Sequence, residues 1–171
     1  MNEKKLPRQG WVRLMDSVAV GISEYAIEKA PAKIITYGLG SCLAITLYSN
    51  KDLIGSMAHV MLPVAFGGND VLVPGKYADT AVLAMLKGMN GMGVNPQDLV
   101  AKLAGGAEMF PGGITRRIGA RNALSARKTL GFYGIKILSE DAGGNLGRSV
   151  EFFLDSGDLL VRTLKGAVVR I

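Results

Sequence analysis

The chain has 171 residues, 49% of them hydrophobic and 20% charged, which suits one domain with a sizeable core and argues against wholesale disorder. The net charge is +6, but the basic residues are scattered and their densest group (Arg116, Arg117, Arg121) has no interleaved aromatics, which disfavours nucleic-acid binding. The single cysteine excludes an intrachain disulfide, and no apolar run could span a bilayer or serve as a signal peptide, so we expect a cytoplasmic protein that is not embedded in a membrane.

Composition and periodicity predict that strands outnumber helices by about four to one. Residues 1–16, which carry Pro7, Gly10 and several charges, are expected to be a loosely ordered N-terminal extension. Residues 17–171 are expected to form one domain. Helical spacing of apolar residues predicts two helices, at 76–90 and 118–130. Strands are predicted at 17–22, 33–37, 43–48, 54–62, 99–103, 135–138, 150–154 and 159–164, with a glycine-rich loop at 140–148.

The order of these elements favours hairpins over crossover units. Two pairs of predicted strands, 43–48 with 54–62 and 150–154 with 159–164, are separated by short turns rich in Asn, Asp, Ser and Gly. Many antiparallel pairs and two helices indicate an α/β layered sandwich of mostly antiparallel strands. They argue against a doubly wound parallel sheet.

The only cysteine and the only histidine of the chain fall on or beside the two strands of the first hairpin. A hairpin places such residues side by side, so Cys42 and His59 are expected to meet. A thiolate is a far better nucleophile than a thiol. A nearby imidazole can take the proton, lower the pKa of the thiol and later protonate a leaving amine.

The residues before Cys42 fit the same chemistry. Gly38 and Gly40 allow a sharp bend, and backbone N–H groups around Ser41 and Cys42 can then point at a developing oxyanion. Thr36, near the end of a strand, can hydrogen-bond the imidazole and fix its tautomer.

Taken alone, each of these residues has an ordinary structural explanation. A lone cysteine is often a small buried hydrophobe, and a lone histidine in an apolar strand is often a core residue. A threonine in a strand often reflects β-propensity. One Cys and one His do not complete a zinc site. Gly38-Leu39-Gly40 continues to Leu43 where a dinucleotide fingerprint has glycine, so no metal or cofactor is expected.

Ordered blocks of sequence over most of residues 17–165 resemble the CheD family, the chemoreceptor glutamine deamidases. The blocks are Val20-Gly21-Ile22-Ser23-Glu24-Tyr25, Gly38-Leu39-Gly40-Ser41-Cys42, Met57-Ala58-His59-Val60-Met61-Leu62-Pro63, Pro74-Gly75-Lys76-Tyr77-Ala78-Asp79-Thr80-Ala81, Gly105-Gly106-Ala107-Glu108-Met109-Phe110, Ile118-Gly119-Ala120-Arg121-Asn122, Glu140-Asp141-Ala142-Gly143-Gly144-Asn145 and Gly147-Arg148-Ser149.

The resemblance implies a Cys–His–Thr catalytic set at Cys42, His59 and Thr36, and a fold like the catalytic domain of necrotizing-factor toxin deamidases. It implies a protein-glutamine glutaminase that converts glutamines of methyl-accepting chemotaxis receptors to glutamates, and in some lineages a further partner, the phosphatase CheC. Two alternatives stay open: a regulatory partner of CheC with weak catalysis, and a receptor glutamate methylesterase.

The chain departs from the family pattern at its N-terminal extension and at Tyr37, which stands where a smaller or aliphatic residue is expected. Tyr37, Met109 and Phe110 are predicted to line the rim that contacts a receptor or partner. Simple packing of Met109 and Phe110 at the edge of the core is an equally good explanation of their position.

Overall fold

The computed structural model describes residues 16–67, 72–109 and 117–171, which contain ten strands and two α-helices. Two short 3-10 turns, Pro74–Lys76 and Pro96–Asp98, precede α1 and β6 respectively. The elements in chain order are β1 (Asp16–Ala19), β2 (Tyr25–Lys29), β3 (Ala32–Leu39), β4 (Leu43–Ser49), β5 (Ile54–Val60), α1 (Ala78–Gly91), β6 (Leu99–Gly105), α2 (Ile118–Phe132), β7 (Lys136–Ala142), β8 (Arg148–Phe153), β9 (Leu159–Thr163) and β10 (Val168–Arg170).

The strands form two mixed sheets of five. The first sheet has the order β1-β3-β8-β9-β10, and the second has the order β2-β5-β4-β6-β7. In the described part of the chain, β1 with β3 and β6 with β7 are parallel pairs, and the other six pairs are antiparallel. The α/β class with mostly antiparallel strands, predicted from the sequence, is confirmed.

The hydrophobic core has two layers, one on each face of the second sheet. On β4, Leu43 and Ile45 face the helices, whereas Ala44 faces the first sheet. Every residue of β4 and β5 is buried, which explains why their sequences are apolar almost without interruption. The central hairpin therefore contributes side chains both to the layer under the helices and to the layer between the sheets.

The structure differs from the sequence prediction at several elements. It adds β2 and β10, whose short sequences each carry charged residues and lack a clear alternation. It extends β7 to Ala142, so the predicted loop at 140–148 begins later. It starts the first helix at Ala78, because the residues before it form a 3-10 turn. Parallel pairing with β6 extends β7 in a way that residue types alone do not show.

Residues 1–15 lie outside the described residues, so the N-terminal extension stays a prediction, as does the assignment of 17–171 to one domain. Asp16 is the first residue of β1 and pairs with Ala32. Within the three described ranges, no helix is long and apolar enough to cross a membrane.

The start of α2 packs directly on the end of β6. A Cβ added to Gly119 would overlap the carbonyl oxygen of Gly106, whereas one added to Gly131, near the other end of the same helix, would meet nothing within 4 Å. We expect Gly119→Ala to lower the free energy of unfolding by about 1–3 kcal/mol through this clash. Gly131→Ala is the matched control and should raise it by about 0.5–1 kcal/mol through helix propensity. Chemical denaturation measures both, and equal effects would contradict the packing described.

Candidate active site

Three elements bring Thr36, Cys42 and His59 to the layer between the two sheets. Thr36 is a buried residue of β3 in the first sheet, and His59 is a buried residue of β5 in the second. His59 lies opposite Ala44 in the β4–β5 ladder. Cys42 is two residues before Ala44, just outside β4, and packs against the inter-sheet cluster to which Ala44 belongs.

A chain of hydrogen bonds defines the tautomer of His59. The hydroxyl of Thr36 lies 2.7 Å from the carbonyl oxygen of Val20 and 2.8 Å from His59 Nδ1. A carbonyl can only accept, so the single hydroxyl proton of Thr36 goes to Val20. His59 Nδ1–H must then donate to Thr36, which leaves the lone pair on Nε2. That nitrogen is buried and has no hydrogen-bond partner among the described residues.

Burial favours the neutral forms of both Cys42 and His59. It raises the pKa of the Cys42 thiol above its ordinary value, an effect that a hydrogen bond from the backbone of Cys42 opposes, and it lowers the pKa of His59. The direction for the thiol is opposite to the lowered pKa expected from the sequence. The free protein therefore holds a thiol and a neutral imidazole at neutral pH. Such a pair suits proton transfer during attack on a substrate, without a preformed ion pair.

The bend before Cys42 is fixed by its backbone. Gly38 has φ +71°, a left-handed conformation that favours glycine, and the β3–β8 register shifts between Thr36 and Leu39. The carbonyl oxygens of Gly40 and Cys42 each accept a 2.7 Å hydrogen bond, from the backbone N–H groups of residues 107 and 106 respectively. The bend is thus attached to the segment that follows β6.

That segment has its own conformational requirement. Gly105 has φ +111°, and a Cβ placed on it would lie 2.5 Å from the carbonyl oxygen of Cys42. Only glycine allows so close an approach, so the end of β6 packs directly against the backbone of Cys42.

The three residues predicted to line the rim differ in their exposure and in whether the structure describes them. Tyr37 is 63% exposed, and Met109 is 40% exposed with its side chain against Gly40 and Gly147. Met109 therefore both covers the bend and remains accessible. Phe110 lies outside the described residues, and its rim position stays a prediction.

Asn122 was not singled out as a site residue from the sequence. It is fully buried, and its Nδ2 donates to the carbonyl oxygens of Ser41 and Met61, at 2.9 and 3.1 Å. The available signal was an amide among small residues on the buried face of α2, next to Gly119 and Ala123. In the parts of the chain that are described, no cluster of three or more His, Cys, Asp or Glu is placed to hold a metal ion.

The described site thus has a half-buried thiol at the end of the central hairpin and a buried imidazole on β5, with the hydroxyl of Thr36 on Nδ1 of that imidazole. The chain belongs to the CheD family: the family model for CheD chemotactic sensory transduction matches residues 61–163. That match begins two residues after His59, so it does not bear on Thr36, Cys42 or His59.

Curated relatives cover more of the chain. The chemoreceptor glutamine deamidase CheD of Thermotoga maritima is 48% identical over 147 residues, which cover 86% of this chain and 92% of the relative. The probable chemoreceptor glutamine deamidase CheD of Archaeoglobus fulgidus is 45% identical over 151 residues, covering 87% and 94%. The protein of the same description from Moorella thermoacetica is 44% identical over 151 residues, covering 86% and 90%.

Proposed function

We propose that this chain is a chemoreceptor glutamine deamidase in which Cys42 is the nucleophile, His59 the general base and acid, and Thr36 the residue that positions His59. The observation that carries the proposal is the tautomer of His59. Because Thr36 gives its only proton to Val20, the imidazole keeps its Nε2 lone pair for the thiol. The names of the relatives support glutamine as the substrate.

The proposed reaction is acyl transfer through a thioester. Cys42 Sγ attacks the carboxamide carbon of a receptor glutamine while His59 Nε2 takes the thiol proton. The N–H of Gly40 donates to the carbonyl oxygen of Gly38 at 3.0 Å and so supports the bend. The backbone N–H groups of Gly38 and Ser41 stabilise the oxyanion. His59 then protonates the leaving nitrogen, and ammonia departs. Water, deprotonated by His59, hydrolyses the thioester to glutamate and regenerates the thiol. This acyl transfer needs no cofactor.

The substrate side of the proposal concerns the rim. Target glutamines lie on the exposed faces of the helical cytoplasmic domain of a receptor, so the protein acts in the cytoplasm at receptor arrays. Exposed Tyr37 and Met109 border the bend at Cys42 and form the proposed receptor contact, together with Phe110. Binding of CheC and a fold like that of the necrotizing-factor toxin deamidases belong to the same proposal.

Product analysis tests this function against its alternatives. When the protein acts on a receptor cytoplasmic fragment with glutamine at its target sites, we expect it to release ammonia. A coupled dehydrogenase assay measures that ammonia. A fragment carrying glutamate methyl esters at the same sites, assayed for methanol, tests the methylesterase alternative. Methanol release without ammonia would establish a methylesterase. Neither product, with tight binding of CheC, would establish a purely regulatory role.

The role of Thr36 is tested by two substitutions, one that removes its hydroxyl and one that keeps it. Thr36→Val removes the acceptor for His59 Nδ1–H, whereas Thr36→Ser keeps the hydroxyl. We expect Thr36→Val to lower kcat/KM for ammonia release by on the order of tenfold, the value of one hydrogen bond, and Thr36→Ser to retain most activity. If the two folded variants were equally active, the positioning role would be wrong.

The burial of His59 sets the acid limb of the pH profile. A base must be unprotonated to act, and burial lowers the pKa of His59 below 6.5, the value of an ordinary histidine. The acid limb of the activity profile should therefore have its inflection below pH 6.5. Measurement of kcat/KM against pH, with circular dichroism to confirm folding at each point, tests this. An inflection at or above pH 6.5 would contradict a buried, neutral base.

A further inference from the structure

The open end of the central hairpin lies beside the proposed catalytic pair. The β4–β5 ladder ends at the pair Leu43 and Val60, so Cys42 lies just beyond the ladder and His59 one residue inside it. Beyond that pair, each segment is hydrogen-bonded on its outer side: the carbonyl oxygen of Cys42 accepts from the N–H of residue 106, and the N–H of Met61 donates to the carbonyl oxygen of Lys76. The ladder no longer joins the two segments to each other. The distance between the thiol and the imidazole therefore depends on what holds the two chain segments together beyond the last ladder pair.

One side chain spans this open end. Asn122, from the first turns of α2, donates through Nδ2 to the carbonyl oxygen of Ser41, next to Cys42, and to that of Met61, two residues after His59. The amide orientation is determined by its partners, because the reverse orientation would place Oδ1 against two carbonyl oxygens. Both protons of one amide group thus connect the two segments that carry the catalytic pair.

Stability alone does not explain this asparagine. Its Oδ1 is buried and has no hydrogen-bond partner in the described ranges, and an unsatisfied buried acceptor opposes folding. Ser125, one turn further along α2, attaches the same helix to the carbonyl oxygen of Pro63 at 2.5 Å through a hydroxyl. The contact of Gly119 with Gly106 attaches the helix a second time.

We propose that Asn122 is a positioning residue that holds the Cys42 thiol within reach of His59 Nε2. The inference rests on the proposed function, since it assigns Asn122 to the same reaction. It acts on the geometry of the pair and not on the substrate. Its loss should therefore lower kcat and leave KM nearly unchanged. For the same reason, its effect should require His59 to be present.

A double-mutant cycle on the alkylation of Cys42 by iodoacetamide tests the proposal without any receptor. Cys42 is the only thiol of the chain, so the reaction reports one site. The four proteins are the wild type, Asn122→Leu, His59→Ala and the double variant, at pH 7. Leucine has a similar shape to asparagine but no donor. Asn122→Ala is the second variant if the first does not fold. Ser125→Ala, which removes a helix–carbonyl contact outside the pair, is the matched control.

We expect Asn122→Leu to slow alkylation by on the order of tenfold when His59 is present and by less than about twofold when it is absent. With a receptor fragment, kcat should fall on the same scale, and Ser125→Ala should change neither rate. Equal slowing in the two backgrounds would show a merely structural role and overturn the proposal. So would unchanged alkylation in a folded Asn122→Leu protein. Coupled alkylation without deamidation of any receptor would retain Asn122 as a positioning residue and remove only the proposed substrate.

Discussion

Cys42→Ala should abolish ammonia release from a receptor fragment, with a loss of at least about 10⁴-fold in kcat, because Cys42 is the only thiol of the chain and the variant cannot form the thioester. Cys42→Ser should be equally inactive, since a serine hydroxyl is far harder to deprotonate than a thiol. Both substitutions change a small, half-buried side chain at the edge of the inter-sheet cluster. The free energies of unfolding of both variants should therefore lie within about 1–2 kcal/mol of that of the wild type.

The control for this prediction uses the wild type. One equivalent of iodoacetamide should inactivate the protein completely, and peptide mapping should place the modification on Cys42. An active, folded Cys42→Ala protein would remove the nucleophile from the mechanism, whatever the substrate.

His59→Ala should lower kcat by on the order of a hundredfold or more, the usual contribution of general acid–base catalysis. The physical reason is the Nε2 lone pair, which the bond from Nδ1 to Thr36 reserves for the thiol. The residual activity of His59→Ala should no longer fall at low pH, because the imidazole that becomes protonated there is absent. Kinetics from pH 5 to 9 measure both effects.

Loss of the buried ring also leaves a cavity, so the unfolding free energy of His59→Ala must be measured alongside its kinetics. His59→Gln keeps more of the volume and serves as the control for packing. An acid limb that persists unchanged in both variants would mean that another group titrates there, and the role assigned to His59 would be wrong.

The sequence was most informative where neighbouring segments determine the structure. The hairpin of β4 and β5 follows from two apolar runs around a polar turn. Its antiparallel register pairs His59 with Ala44, two residues after Cys42. The mostly antiparallel α/β class follows from several such hairpins, and the family resemblance is confirmed by the family model and the curated relatives.

Contacts between distant segments were harder to predict. Thr36 lies in the other sheet from His59, and the carbonyl oxygen of Val20, which determines the direction of their hydrogen bond, belongs to a third segment. Asn122 reaches the site from α2, which follows Cys42 by about one half of the chain. Burial depends on all these contacts together, which is why the raised pKa of the thiol was not expected from residue types alone.

Peptide-level mass spectrometry of a receptor cytoplasmic fragment, incubated in parallel with wild-type protein and with Cys42→Ala, tests the central claim most directly. We expect the wild type to add about one dalton at specific glutamines, because an amide NH₂ is replaced by OH, and the variant to leave every glutamine unchanged. Asparagines in the same peptides serve as an internal control, because any spontaneous deamidation should be equal with the two proteins. Mass shifts at the same glutamines with both proteins, or no shift with the wild type, would contradict a cysteine-dependent glutamine deamidase.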